Sequence, residues 1–221
     1  ISQLWHLECA IKKVRDTKQQ DFFMMCLSNL VKKVSFADPS ISVPVKLNPE
    51  RFAQNPERME SARFKLKTLE NIDVYDKFEN ICQLNINRIE SLKDIYSNGI
   101  TSEIISNDAR LLTKEFGGTE ILQDESVDLI LTSPPYAGAQ KYIRSSWLNL
   151  YWLGTKNSED IRLLNKQNIG REDYHKADMF RVSTNIQAAD DVLTSLYDEG
   201  KNERAFIVGN YLNEMKSAID E

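Results

Sequence analysis

"VDLILTSPPYAGAQKYIRSSWLNLYWLG", residues 127–154, opens on a nearly unbroken apolar run, stops at Ser133-Pro134-Pro135-Tyr136 and resumes as an aromatic-rich helical pattern. A continuous apolar run is what a parallel strand covered on both faces carries. Two consecutive prolines end such a strand, because neither has an N–H to give the ladder. The spacing therefore predicts a buried strand over 127–132 and a helix over 140–153. Upstream, "SEIISNDARLL" (102–112) reads as a short strand, Glu103 to Ser106, followed by an acidic turn at Asn107-Asp108. Strand, crossover, buried strand and helix in that order predict an α/β arrangement.

The first hundred residues have a different character. Leu4, Leu7, Ile11 and Val14 are spaced by threes and fours, which predicts an amphipathic helix over 3–15. A second helix is expected from Gln20 to Ser35, ended by "ADPS", where Pro39 disfavours helix at Asp38. "ISVPVKLNP" is an extended connector. "NPER" then occurs twice, at 48–51 and 55–58, and Asn before Pro is a good helix start. Arg51, Arg58, Arg63, Lys65 and Lys67 form a basic stripe here, read either as a solvated helix face or as a surface for a phosphate backbone. From Pro56 to Ser97 one long helix or two in series are expected. Val74, Phe78, Ile81, Cys82, Asn85, Ile89, Leu92 and Tyr96 give it a near-heptad seam, which could pair with a partner helix or a second copy through 74–96. Asn98-Gly99 marks the turn out. Beyond the motif, 155–183 is polar and reads as a loop-rich insertion. Helices are expected at 186–199, with Gly200 closing the first, and from Glu203 to the end.

Composition bounds the function. Charged residues are 28% and hydrophobic ones 41%, a balance that excludes bulk disorder. The formal charge of -5 argues against non-specific coating of nucleic acid, though not against a local basic groove. Cys9, Cys26 and Cys82 are odd in number, far apart and set in apolar helical patterns, so they read as small core residues of a reducing, cytoplasmic protein. Only His6 and His175 are present, which leaves no metal site to expect. No run is long and apolar enough to span a membrane.

The chemistry of the break can be read residue by residue. The prolines fix the backbone and leave carbonyls without competing N–H donors. Ser133 adds a hydroxyl that can accept, and Tyr136 adds a stacking face with a polar tip. Together they make a rigid slot for a planar group carrying an exocyclic amine. The amine's protons point at the acceptors, and its lone pair turns toward an electrophile. The plain reading, a proline-terminated strand with a packed tyrosine, stands beside this one.

"LTSPPY", 131–136, resembles motif IV of the S-adenosylmethionine-dependent DNA amino-methyltransferases, in which Asp, Asn or Ser precedes Pro-Pro and an aromatic residue. The serine form after Leu-Thr is similar to that of enzymes acting on the cytosine N4 amine. "SNDARLL" resembles the segment after the family's third strand, with Asp108 in the place that contacts the cofactor's adenosine. The resemblance implies a partial class-I, Rossmann-like sheet with a large helical region: 1–100 as insertion or arm, and 101–221 as part of the catalytic domain. It implies DNA as partner, base flipping, and Ser133, Pro134, Pro135 and Tyr136 as the acceptor site. A restriction-modification setting fits the family. Adenine N6 in DNA or RNA is the alternative target. A non-catalytic helical interaction module with a degenerate slot is the alternative of another class. The family's F-x-G-x-G loop, the main hold on S-adenosylmethionine, is not in this chain. The one adjacent glycine pair, Gly117-Gly118, follows no apolar strand. Since the chain starts at Ile1 and ends inside a helical pattern, the loop is expected upstream of Ile1 and the later strands after Glu221.

Overall fold

A computed structural model of the chain describes residues 1–93, 102–112, 122, 125–138, 141–155 and 157–221. It divides into two compact units. The first takes Ile1–Ile100 with Tyr142–Ile161, and the second takes Thr101–Lys141 with Arg162–Glu221.

Unit 1 is built on helix α2 (Thr17–Val34), which packs against α1 (Ser2–Ile11), α4 (Val74–Ser91) and α6 (Trp147–Trp152). Cys26, Leu27, Leu30, Val31 and Val34 fall on one face of α2 because rows four apart stack along a helix. Leu4 and Ile11 of α1 and Val74, Ile81 and Cys82 of α4 complete the core, with Leu148 and Trp152 of α6 packed against it. Caps set the helix starts. Asp16 accepts from Gln19 N–H at 2.8 Å, and Asp73 accepts from the N–H groups of Tyr75 and Asp76. The Gln20 amide donates to the Ile11 and Val14 carbonyls and so closes the α1–α2 turn.

The paired "NPER" motifs become two different starts. Asn48 caps a 3-10 turn, Pro49–Phe52, and Asn55 caps α3 (Pro56–Glu70), each with proline at its first position. The connector before them forms one antiparallel bridge, Ala37 to Lys46. Among its described residues the stretch expected as one or two helices divides into α3 and α4, because Asp73 restarts the chain after Asn71. Much of the seam on α4 is used inside unit 1: Val74, Ile81, Cys82 and Asn85 are buried, while Ile89 and Leu92 are exposed. Short α5 (Tyr142–Ser145) precedes α6.

The boundary between the units passes through α7 (Ser158–Gln167). In unit 2, α8 (Gln187–Asp198) and α9 (Asn202–Ile219) pack as a pair. Gly200, at φ +75°, makes the reversal between them, with Lys201 N–H reaching back to the Leu196 carbonyl at 2.9 Å. Leu193, Ala205 and Phe206 are buried, and Phe206 meets Tyr174 and Phe180 edge-on. Gly209 lets Val182 approach α9 closely, since an added Cβ would lie 3.0 Å from the valine side chain.

The expected partial Rossmann-like sheet is not formed. Among the described residues there is no strand. Glu103–Ser106 and 127–132 form no strand and pair with no other described segment, Asp128 is a bend, and Leu129, Ile130 and Leu131 are 79, 79 and 93% exposed. The physical reason is that a strand satisfies its backbone only through other segments, whereas a helix closes its own bonds. An apolar run states a demand for cover but does not supply the neighbouring strands. The segment 155–183, expected as loop-rich, holds α7 and a 3-10 turn, Lys176–Asp178. Tyr96, Asn98-Gly99, Gly117-Gly118 and Lys156 lie outside the described residues.

Leu30 sits at the centre of the α2 face with no exposed surface. Leu30→Ala is expected to cost about 3 kcal/mol of stability, read as a lowered midpoint in urea unfolding followed by circular dichroism.

Candidate functional site

Residues 133–138 leave the extended segment and run onto α9. Ile207, Tyr211 and Glu214 lie on one face of that helix, a turn apart. Against this face sit two glycines with positive φ, Gly138 at +60° and Gly170 at +79°. A Cβ on Gly138 would lie 3.0 Å from the Ile207 side chain. A Cβ on Gly170 would lie 2.8 Å from the Tyr136 carbonyl oxygen, so the two segments approach this closely only because residue 170 lacks a side chain. Gly138 N–H donates to the Gly170 carbonyl at 3.0 Å, and Gly170 N–H donates to Glu214 Oε2 at 3.3 Å.

The motif itself projects from this anchor. Ser133 and Pro134 are exposed, Pro135 is half-buried and the Tyr136 ring is 65% exposed. Among the described residues, the Ser133 hydroxyl and the Pro134 carbonyl have no hydrogen-bond partner. A cleft of about 480 Å³ adjoins the motif's end, lined by Ala137, Gly138, Glu172, Lys201, Arg204 and Ile207.

Asp108 lies in the same unit, in an irregular turn held by Ser106. Its carboxylate is fully engaged by Arg110. Oδ1 accepts from Arg110 N–H at 3.0 Å and Nε at 2.8 Å, and Oδ2 accepts from Nη2 at 2.6 Å. These bonds hold the Asp108 carboxyl below its ordinary value, against the opposing effect of burial. Arg110 also reaches the Gln167 carbonyl at 3.0 Å and Glu214 Oε1 at 3.5 Å. Burial raises the Glu214 carboxyl above the usual range, opposed by the Gly170 N–H and by Arg110. Thus Asp108 connects through Arg110, Glu214 and Gly170 to the residue two past Tyr136. Sequence reasoning missed Arg110, Gly170 and Glu214. The "DAR" spacing was visible, but its pairing with a carboxylate a hundred residues on was not.

Arg171 lies flat over the Tyr174 ring at 3.9 Å, and burial pushes the Tyr174 phenol up. Trp147 and Tyr151, on the helix after the motif, stack on each other at 6.2 Å in unit 1, and Trp152 packs into that unit's core. Cys26 and Cys82 are in the core, where burial pushes the Cys82 thiol up to about 12, and Cys9 is half-buried. Among the described residues no group of three or more His, Cys, Asp or Glu could hold a metal, and no helix is long and apolar enough to cross a membrane.

Comparison with known protein families, with curated proteins and with solved structures finds no match to this chain.

Arg110→Met would leave Asp108 and Glu214 without their shared cation. The expected loss near neutral pH is about 2 kcal/mol. Because the folded Asp108 value is lowered, this contribution is present above the unfolded carboxylate range and vanishes as pH falls through the folded value. The stability gap between parent and variant, followed by urea titration from pH 7 down, should therefore narrow in acid.

Proposed function

We propose that this chain provides the acceptor side of a DNA amino-methyltransferase, acting on the exocyclic amine of a flipped base, with cytosine N4 as the preferred target. The observation that carries the reading is the free hydrogen-bonding capacity of Ser133 and the Pro134 carbonyl beside an exposed Tyr136 ring. In this reading Tyr136 covers one face of the flipped base. Ser133 and the Pro134 carbonyl accept the amine's protons and turn its lone pair outward. Pro135 and the Gly138–Gly170 bond hold the backbone, so the acceptors need no rearrangement when the base arrives.

The donor side is a separate matter. S-adenosylmethionine would supply the methyl group, but Asp108, the one residue the resemblance assigns to it, has both carboxylate oxygens on Arg110. The described residues do not make a cradle for that cofactor.

The test is methyl transfer from labelled S-adenosylmethionine to duplex DNA by the intact protein that carries this chain, with the modified nucleoside identified by mass spectrometry. N4-methylcytosine is the expected product, and N6-methyladenine would move the target to adenine. Ser133→Ala and Tyr136→Ala should each lower the rate by about 100-fold while keeping the parent's circular dichroism and melting midpoint. Unchanged rates in both would sink the mechanism.

A second reading, a helical interaction module without catalysis, is favoured by one observation: Leu84, Ile89 and Leu92 stand exposed on α4 and just past its end. Under that reading light scattering of the parent shows a concentration-dependent mass, which Leu84→Glu with Ile89→Glu returns to the monomer. A parent that stays monomeric at every concentration removes self-association.

A further inference from the structure

Two clefts in unit 1 adjoin across the loop Asp38–Ser40, and Lys65 lines both. The first, about 460 Å³, is lined by Ser28, Lys32, Lys33, Pro39, Lys65 and Asn149, among others. The second, about 320 Å³, holds Arg58 and Lys65 from one face of α3. Among the described residues the first cleft has no carboxylate in its lining, and the second has only Asp38.

Asp38 is engaged through one oxygen. It is 2% exposed, and its Oδ1 accepts from the Ser40 N–H and hydroxyl at 2.9 and 2.6 Å, while Oδ2 has no hydrogen-bond partner among the described residues and lies 3.5 Å from Arg51. Those Ser40 bonds, with Arg51 and Lys65 adding to them, keep its carboxyl below the ordinary value. By contrast Lys32, Lys33, Lys65 and Arg58 have no ion-pair partner among the described residues. Ser28 Oγ accepts from the Asn149 amide at 2.9 Å, which leaves its own hydrogen free to donate into the first cleft. In a chain of net charge -5, the described lining of these adjoining clefts thus sets Lys32, Lys33, Arg58 and Lys65 against one carboxylate, Asp38, which already holds Arg51 beside it. Concave walls of one sign focus the field on an incoming anion.

We infer that these adjoining clefts are a seat for the phosphate backbone of DNA, with Lys32 and Lys33 on one side of the Asp38 loop, Arg58 on the other, and Lys65 between them. The choice of DNA over other phosphate polymers rests on the methyltransferase reading of Ser133–Tyr136. Lysines act as point charges without base preference, so the seat gives affinity and register and no sequence readout.

The experiment is fluorescence anisotropy of the intact chain with a fluorescein-labelled DNA duplex across a salt series. The parent should bind with affinity falling linearly on a log–log plot against salt. Lys32→Gln/Lys33→Gln/Lys65→Gln should bind at least tenfold more weakly in low salt, with a slope shallower by about 2 to 3, one step per lost phosphate contact. Lys32→Arg/Lys33→Arg/Lys65→Arg should keep the parent slope, which separates lost charge from lost fold. Lys13→Gln/Lys18→Gln, outside both clefts, should also keep it. Ser133→Ala/Tyr136→Ala should bind with the parent slope even where methyl transfer is gone, so a failed methyltransferase reading and a failed phosphate seat give different patterns. The inference is overturned if the glutamine triple variant keeps the parent slope, if the Lys13/Lys18 variant loses as much, or if the parent binds an RNA duplex of equal length but no DNA.

Discussion

Unit 1 depends on one helix face. Among the described residues α1, α4 and α6 all pack on α2, whose Cys26, Leu27, Leu30, Val31 and Val34 are buried in the shared core. Each fully buried aliphatic side chain contributes about 1.5–3 kcal/mol, so this face carries much of the gain against the entropy of ordering three neighbours. Its dependence on α2 also explains why residues far apart in the chain join the unit. Asn149 donates to the Ser28 carbonyl and hydroxyl, which fixes the register of α6 against α2 across more than a hundred residues. The capping residues Asp16 and Asp73 then set where α2 and α4 begin, and therefore which side chains reach that face.

Unit 2 rests on a different economy of contacts. α8 and α9 pair through Leu193, Ala205 and Phe206, and the loop 180–185 is clipped onto α8 by Asp190, which accepts from Thr184 N–H and hydroxyl. The loops at 136–138 and 170 then meet over the Ile207, Tyr211 and Glu214 face of α9. Glycine at both crossing points is a steric requirement there. The motif stands out from this crossing because its prolines offer no N–H with which to join any neighbour. Pro134 and Pro135 give no N–H to a neighbour, and Ser133 and Pro134 reach solvent with their acceptors unused among the described residues.

Most helices were legible in the sequence to within a few residues, because their pattern and their hydrogen bonds are both local, while α7 was read as loop because its stretch is polar. The Asn-Pro repeats and the Gly200 reversal are short-range signals of that kind. The sheet was misread for the opposite reason. "VDLILT" has the composition of a central strand, but a strand is completed by residues elsewhere, and composition cannot report whether they are present. The candidate site was legible only where it is local too. Ser133 to Tyr136 could be picked out as a contiguous stretch. Asp108 could be picked out as well, but its partner Arg110 takes both carboxylate oxygens, and Glu214 and Gly170 join from positions that no spacing rule connects.

Charge shows the same limit most sharply. The stripe of Arg51, Arg58, Arg63, Lys65 and Lys67 looks uniform when written in a line. The fold sorts it. Arg51 pairs with buried Asp38 and Arg63 with Glu50 at 2.9 Å, so neither has charge to spare. Arg58 and Lys65 share the cleft face of α3, and Lys32 and Lys33, which no stripe included, arrive from the last turn of α2. Surface pairs of the Arg63–Glu50 kind are worth about 0–1 kcal/mol to stability. Their larger effect is on the map of charge. By occupying some cations they leave others as the local field, and a protein acidic in sum can present a basic surface to one kind of ligand.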